Sequence, residues 1–161
     1  MAHFAEVRTD THEVLRVIVI NNKDVDANGG DYSEGAETWV TNLMSAPDAQ
    51  SESIKEIYGG SYPSTTYWKQ CSYNKNKRGC YPGVGCTFNA AEDRFEGPKY
   101  FDSWTLNTET CQYEPPIPRP SSIHGNIYVA SAWDEANQRW NGNGNDVDYI
   151  WNTETNTWEE A

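Results

Sequence analysis

Four ten-residue segments in the second half of the chain follow one pattern, and this repetition constrains the fold more than any other feature. Each has an apolar residue, then Asn or Asp, then five residues, then an aromatic residue that is usually followed by Glu. The segments are TFNAAEDRFE (87–96), TLNTETCQYE (105–114), AWDEANQRWN (132–141) and IWNTETNTWE (150–159). Residues 86–114 match residues 131–159 at an offset of 45, which indicates an internal duplication.

The repeated pattern predicts β-hairpins, because Asn or Asp at the head of a short loop hydrogen-bonds its own backbone and starts a turn. The residue before the turn then lies across from the later ring. The predicted pairs are Phe88 with Phe95, Leu106 with Tyr113, Trp133 with Trp140, and Trp151 with Trp158. A cross-strand aromatic pair contributes roughly 0.2–1 kcal/mol, and a lone hairpin is marginal, so several must pack together. We expect residues 79–161 to form tandem aromatic hairpins, as a meander or a small sandwich.

The rings have two possible roles. Leu, Ile, Val and Phe supply only 24 of the 161 residues, whereas 18 of the 21 aromatic residues follow residue 57, which favours rings as the core. Rings left exposed would instead bind a neighbouring protein or stack on sugars. A polyproline-like stretch, Pro115–Pro120, is a spacer or an arm that lies along a neighbour. The candidate interaction residues are Trp104, Tyr113, Trp133, Trp140, Trp151, Trp158, Pro115, Pro116 and Pro118.

The first half predicts a β-β-α-β unit at residues 1–78, which we interpret as a docking unit. Residues 3–20 indicate a hairpin whose second strand, Val14–Ile20, is apolar enough to be buried on both faces. Ser33 is an N-cap for a helix at about Glu34–Ser45, and TTYWKQCS (65–72) has strand composition. The predicted class is therefore α+β, mainly β.

An acidic segment follows the second strand. Asp24, Asp26, Asn28 and Asp31, with Gly29 and Gly30 among them, are similar to the first half of a calcium loop. The twelfth position holds Gly in place of Glu, so the alternative is a solvated turn before the helix. Calcium is the one cofactor that the sequence indicates. The stretch 141–148 (NGNGNDVD) predicts a second flexible loop.

Four cysteines, Cys71, Cys80, Cys86 and Cys111, have no C-x2-C spacing, which argues against a zinc site. They are buried thiols or disulfides, and for disulfides we expect the pairs Cys71–Cys80 and Cys86–Cys111. The N-terminal MAHFAEVRTD lacks a basic and an apolar region, which predicts no signal peptide and synthesis in a reducing cytosol.

Charge and motifs exclude several function classes. A net charge of −12 argues against nucleic-acid binding, which needs a basic surface. No apolar run is long enough to cross a membrane. The three histidines are scattered, and neither G-x-S-x-G, H-E-x-x-H nor a P-loop occurs, so the sequence predicts no enzyme.

Several segments resemble small proteins of tailed phages of marine cyanobacteria. They are MAHFAEV, VLRVIVINNKDV, SEGAETWV and, most specifically, the run from Trp68 to Pro116. The resemblance covers about residues 1–120, with residues 121–161 as an extension by duplication. It implies a virion structural protein present in multiple copies and assembled in the host cytoplasm, and it supplies no catalytic residues. We expect a tail, baseplate or fibre accessory; the alternatives are a capsid decoration protein and a carbohydrate-binding module for a host surface glycan.

Overall fold

The computed structural model describes residues 1–46, 49–62 and 65–161, and the chain divides into two compact units. The first comprises Met1–Pro98 with Thr108–Gln112, and the second comprises Lys99–Asn107 with Tyr113–Ala161. Over the described ranges the chain forms thirteen strands and three helices, which confirms the predicted class, α+β and mainly β. None of these three helices is long and apolar enough to cross a membrane.

A three-stranded antiparallel sheet organises the first unit, with β1 (Ala2–Arg8) between β2 (Val14–Ile20) and β3 (Thr66–Cys71). The predicted hairpin and third strand are therefore both present. The helices are α1 (Asn22–Ala27), α2 (Glu34–Met44) and α3 (Glu52–Ile57). Helix α2 begins where predicted, because the Ser33 side chain accepts a hydrogen bond from the Ala36 amide at 3.0 Å. The sequence also predicts that this helix ends before Pro47, which lies outside the described residues.

The strand predicted to be buried on both faces is an edge strand. Val14 and Leu15 of β2 are buried, but Val19 is 49 % exposed. The central position belongs to β1, where Phe4 and Ala5 are fully buried. A run of β-branched residues indicates a strand, but its place in the sheet is set by which elements pack beside it.

The two faces of this sheet carry separate cores, because side chains alternate along a strand. On one face Phe4 and Trp68 pack against α1 and α2 through Val25, Ala36 and Val40. On the other face Ala5, Val7 and Val14 pack with the four cysteines and with Phe88 and Phe95. The first aromatic hairpin thus completes the first unit, which extends well beyond the boundary predicted at residue 78.

The other strands form the repeated hairpins. Two hairpins are β4 (Thr87–Asn89) with β5 (Arg94–Glu96), and β6 (Thr105–Asn107) with β7 (Gln112–Glu114). The second unit continues with β8 (Ile123–His124), β9 (Ile127–Tyr128), β10 (Ala130–Asp134), β11 (Arg139–Gly144), β12 (Val147–Asn152) and β13 (Thr157–Glu160). Strands β10 to β13 pair in sequence order, so the expected meander is present. The prediction of a flexible loop at residues 141–148 is wrong. This stretch belongs to the paired strands β11 and β12, which are joined by a tight turn at Asn145 and Asp146, both with positive φ.

The predicted ring pairs are directly opposite each other in three hairpins. Phe88 faces Phe95, Trp133 faces Trp140 and Trp151 faces Trp158 in the strand register. Their ring centroids are 4.9, 5.3 and 5.3 Å apart. The spacing of the sequence pattern therefore sets the register of each hairpin.

All four hairpins share two further features. An Asn amide joins a carboxylate across each hairpin, at 2.9–3.1 Å, in the pairs Asn89–Glu96, Asn107–Glu114, Asn141–Asp134 and Asn152–Glu159. The residue four positions after the turn residue has positive φ: Asp93, Cys111, Gln138 and Asn156, at 47°, 55°, 48° and 53°. The duplication seen in the sequence is thus a duplication of one turn geometry.

Replacing Gln138 with glycine is expected to raise the free energy of unfolding by about 0.5–1 kcal/mol, because glycine removes the strain of a left-handed non-glycine residue. Urea unfolding monitored by circular dichroism measures the change. Ala136→Gly in the same turn is the control, since Ala136 has no positive φ, and it is expected to give no gain. An equal gain from both variants would contradict the strain argument.

Candidate functional site

Most of the candidate interaction rings form the core of the second unit. Trp133, Trp140 and Trp158 are 8 %, 5 % and 3 % exposed and pack with Val129 and Tyr149. Their indole N–H groups donate to Glu135 Oε2, the Ile117 carbonyl and the Ser121 carbonyl at 2.8, 2.9 and 2.8 Å. Trp133 and Trp158 were candidates for surface binding, but they are buried and contribute to packing instead. This agrees with the expectation that rings form the core of a chain with few aliphatic residues.

An aromatic groove remains on the second unit. It has a volume of about 420 Å³ and is lined by Trp104, Glu114, Pro115, Pro118, Arg119 and Trp140. Two indole rings and two proline rings supply most of its surface, and Glu114 and Arg119 add one charge of each sign. This volume is within the range of about 300–1,000 Å³ that small-ligand and peptide-anchor pockets occupy.

The proline-rich segment is held in place by the core. The bond from the Trp140 indole to the Ile117 carbonyl fixes the middle of the segment. The Arg119 guanidinium lies over the Trp140 ring at 5.8 Å, and its Nε donates to Ser131 Oγ at 3.0 Å. The segment is thus a wall of the groove with a defined conformation, which lowers the entropic cost of binding a partner.

Trp104 is the second indole of the groove lining. Its ring packs against Phe101 at 5.2 Å and against Tyr100 at 6.3 Å. The preceding residue, Ser103, donates through its amide and hydroxyl to the two carboxylate oxygens of Glu135, at 2.8 and 2.7 Å. These bonds, with that from Trp133, hold the pKa of Glu135 below its ordinary value. They also fix the backbone that carries Trp104.

The groove brings together four of the nine candidate interaction residues: Trp104, Trp140, Pro115 and Pro118. Trp151 and Tyr113 are half-buried and lie outside its lining, as does the exposed Pro116. Glu114 and Arg119 were not predicted. Their positions at the start and inside the proline-rich stretch were the signal that could have identified them.

The acidic segment does not form the predicted loop. Residues Asn22–Ala27 form helix α1, which buries Val25 and contains Asp24 and Asp26. The Asn28 side chain donates to the Asp24 carbonyl, and Asp31 accepts a hydrogen bond from Gln70. Within the described ranges, no group of three His, Cys, Asp or Glu side chains has an arrangement that could hold a metal ion. Calcium binding by these residues stays a sequence prediction.

All four cysteines are free, buried thiols. The predicted partner of Cys80 was Cys71, but its thiol neighbour in the structure is Cys86, with Cys111 also near it. Hydrogen bonding between these two thiols and burial raise the pKa of Cys80, and the same hydrogen bond lowers the pKa of Cys86. Burial raises the pKa of Cys71 to about 12. The hydrogen bond between the two thiols and the lowered pKa of Cys86 therefore favour Cys80 and Cys86 as the first pair to oxidise.

Diamide, which removes two electrons and two protons from a thiol pair, is expected to link Cys80 to Cys86 before any other pair. Both residues lie in the tryptic peptide Gly79–Arg94, so the bond lowers the mass of this peptide by two hydrogen atoms. Digestion without reductant and mass spectrometry measure it, with Cys80→Ser as the control. Linked peptides joining Cys71 to Cys80 or Cys86 to Cys111 would instead support the pairs predicted from the sequence.

Comparison of the chain with protein-family models, curated proteins and solved structures found no match. The functional conclusion therefore depends on the geometry of the chain itself.

Proposed function

We propose that the protein is a non-enzymatic structural protein of a tailed-phage virion, a tail, baseplate or fibre accessory that binds a neighbouring virion protein through the aromatic groove. The observation that carries the proposal is the groove itself, in which Trp104, Trp140 and two prolines form a preorganised apolar surface. The resemblance of residues 68–116 to small phage proteins supports the location.

The partner segment is inferred from the lining and the charge. Aromatic and proline rings bind extended segments that contain prolines or other apolar side chains, because such segments lose little conformational freedom on binding. The second unit has nine acidic residues against three basic ones. A partner segment with an apolar anchor and flanking basic residues therefore complements both the groove and its surroundings.

Mass spectrometry of gradient-purified particles tests the location. We expect the protein in particles at a few to some tens of copies, the number typical of tail components. Hundreds of copies would favour the capsid decoration alternative over the tail. Presence in infected cells with absence from particles would overturn the proposal in favour of an assembly factor.

The groove is tested by removing one of its rings. Trp104→Ala is expected to reduce the copies per particle, because the Trp104 ring supplies part of the apolar lining on which the partner segment packs. Tyr128→Ala is the control, since Tyr128 is 65 % exposed in the same unit and does not line the groove. Equal incorporation of both variants would contradict a role for the groove.

A further inference from the structure

We propose that the first unit binds a neutral saccharide in a polar pocket at one end of its sheet. The pocket has a volume of about 550 Å³. Its walls come from the start of β1, the end of β3, the turn at residues 72–77 and the loop at Asp31 and Tyr32. The inference is independent of the proposed virion location and concerns a surface that the sequence pattern did not indicate.

The lining is rich in groups that hydrogen-bond to hydroxyls. Amides come from Asn22, Gln70, Asn74 and Asn76, hydroxyls from Tyr32, Ser72 and Tyr73, and charges from Asp31 and Lys77. Within the described part of the chain, the side chains of Asn22, Asn74 and Lys77 have no hydrogen-bond or ion-pair partner. A ligand can therefore bind these three groups without displacing an internal contact.

A buried amide fixes the acidic side of the pocket. Gln70 is 3 % exposed; its Nε2 donates to Asp31 Oδ1 at 2.7 Å, and its Oε1 accepts from the Tyr32 amide at 2.6 Å. Both atoms of the amide are thus used to hold the loop and to orient the Asp31 carboxylate. The carboxylate keeps its second oxygen for an external donor, and Asp31 is exposed. Similarly, Ser72 donates to Asn76 Oδ1, which leaves the Asn76 amino group as a donor.

An aromatic platform completes the pocket. Tyr73 is 69 % exposed, and the His3 ring stacks against it with centroids 5.7 Å apart and an interplanar angle of 26°. Tyr81 packs edge-on against both rings and shares a 3.0 Å hydrogen bond with His3 Nδ1. The exposed Tyr73 ring is therefore held by two neighbours, which a freely rotating surface tyrosine would not be.

This combination favours a sugar over other ligand classes. Amide and carboxylate groups pair with adjacent hydroxyls, and a fixed aromatic face packs against the apolar C–H face of a pyranose ring. An apolar ligand would leave the polar groups of the lining without hydrogen-bond partners. A phosphate or acidic ligand would meet the Lys77 ammonium and the Met1 amino group, but both are opposed by Asp31 and by a net charge of −12 over the chain.

The test is protein-detected NMR titration of the full chain with glucose, galactose, mannose, N-acetylglucosamine, maltose, cellobiose and lactose, each to tens of millimolar. At least one sugar is expected to give saturable shifts at the amides of Tyr32, Tyr73 and Asn74. Tyr73→Ala and Asp31→Ala are each expected to weaken that binding at least tenfold. Tyr128→Ala, an equally exposed tyrosine outside the pocket, is expected to leave it unchanged.

Two further arms decide the ligand class and the site. Lys77→Met removes one donor from the lining and is expected to weaken neutral-sugar binding less than Tyr73→Ala does, whereas it is expected to abolish any binding of an anion. The proposal is overturned if no sugar in the panel gives saturable shifts, if binding survives Tyr73→Ala, or if the shifts map to Trp104 and Trp140. It is also overturned if inorganic phosphate or glucuronate binds more tightly than every neutral sugar and loses that binding in Lys77→Met.

Discussion

Replacing Arg16 with methionine is expected to lower the free energy of unfolding by about 3–5 kcal/mol, because it leaves the carboxylate of Glu6 buried without its cation. Glu6 is 1 % exposed in the central strand, and Arg16 Nε donates to its Oε2 at 2.6 Å. Tyr62 and Thr66 also donate to this carboxylate. These neutral hydroxyls satisfy lone pairs but do not neutralise the charge. Urea unfolding of the parent chain and the variant, followed by circular dichroism, measures the loss.

The double variant Glu6→Leu with Arg16→Met separates the stranded charge from lost packing. If the unpaired carboxylate causes the loss, the double variant is expected to recover most of it, since an apolar pair of similar volume often replaces a buried ion pair at little cost. Arg16 also lies over the Trp68 ring at 5.4 Å and donates to the Ala49 carbonyl at 3.0 Å. A double variant as unstable as Arg16→Met would show that these contacts, together with the Tyr62 and Thr66 hydroxyls that lose their acceptor, and not the charge, dominate the loss.

Trp158→Ala is the second change with a large expected effect, a loss of about 3–5 kcal/mol in the second unit. The ring is 3 % exposed and packs against Trp151, and its N–H satisfies the Ser121 carbonyl. A side chain at Gly142 would place a Cβ 2.3 Å from Val129 Cγ1 and 3.1 Å from Trp158 Cζ3. The backbone at Gly142 is thus packed closely against this part of the core. The closely packed backbone and rings are therefore expected to relax only in part into the space that the indole leaves.

Hydrogen exchange measured by mass spectrometry localises this loss. Protection is expected to fall across β10–β13 in Trp158→Ala and to remain in the sheet β1–β3. Trp158→Phe keeps most of the buried ring area and is expected to lose less. Tyr128→Ala, on the surface of the same unit, is expected to change stability by no more than about 0.5 kcal/mol. Equal effects of Tyr128→Ala and Trp158→Ala would contradict a core built on rings.

The hairpins are the part of the fold that could be predicted most fully. The pairing of Trp133 with Trp140 and of Trp151 with Trp158 follows from their spacing around Asp134 and Asn152, since an Asx turn acts within a few residues. Helix α2 was predicted for the same reason, because its Ser33 cap and first-turn carboxylates act locally. The acidic segment was predicted to be a loop, but part of it is a helix, because the burial of Val25 favours a helical turn. That burial depends on residues distant in the chain.

Sequence alone therefore determined the α+β class, the four repeated turns and the register of the rings. Tertiary structure decided that β1 and not β2 is central, that Phe88 and Phe95 complete the first unit, and that Trp133 and Trp158 are buried. It also decided the two surfaces that are proposed to bind. Trp104 joins Trp140 in the groove, and Asp31 joins Tyr73 in the polar pocket, across dozens of residues of chain. Turns and register depend on hydrogen bonds between near neighbours in sequence. Each of these surfaces, in contrast, forms only when distant segments pack on the core of its own unit.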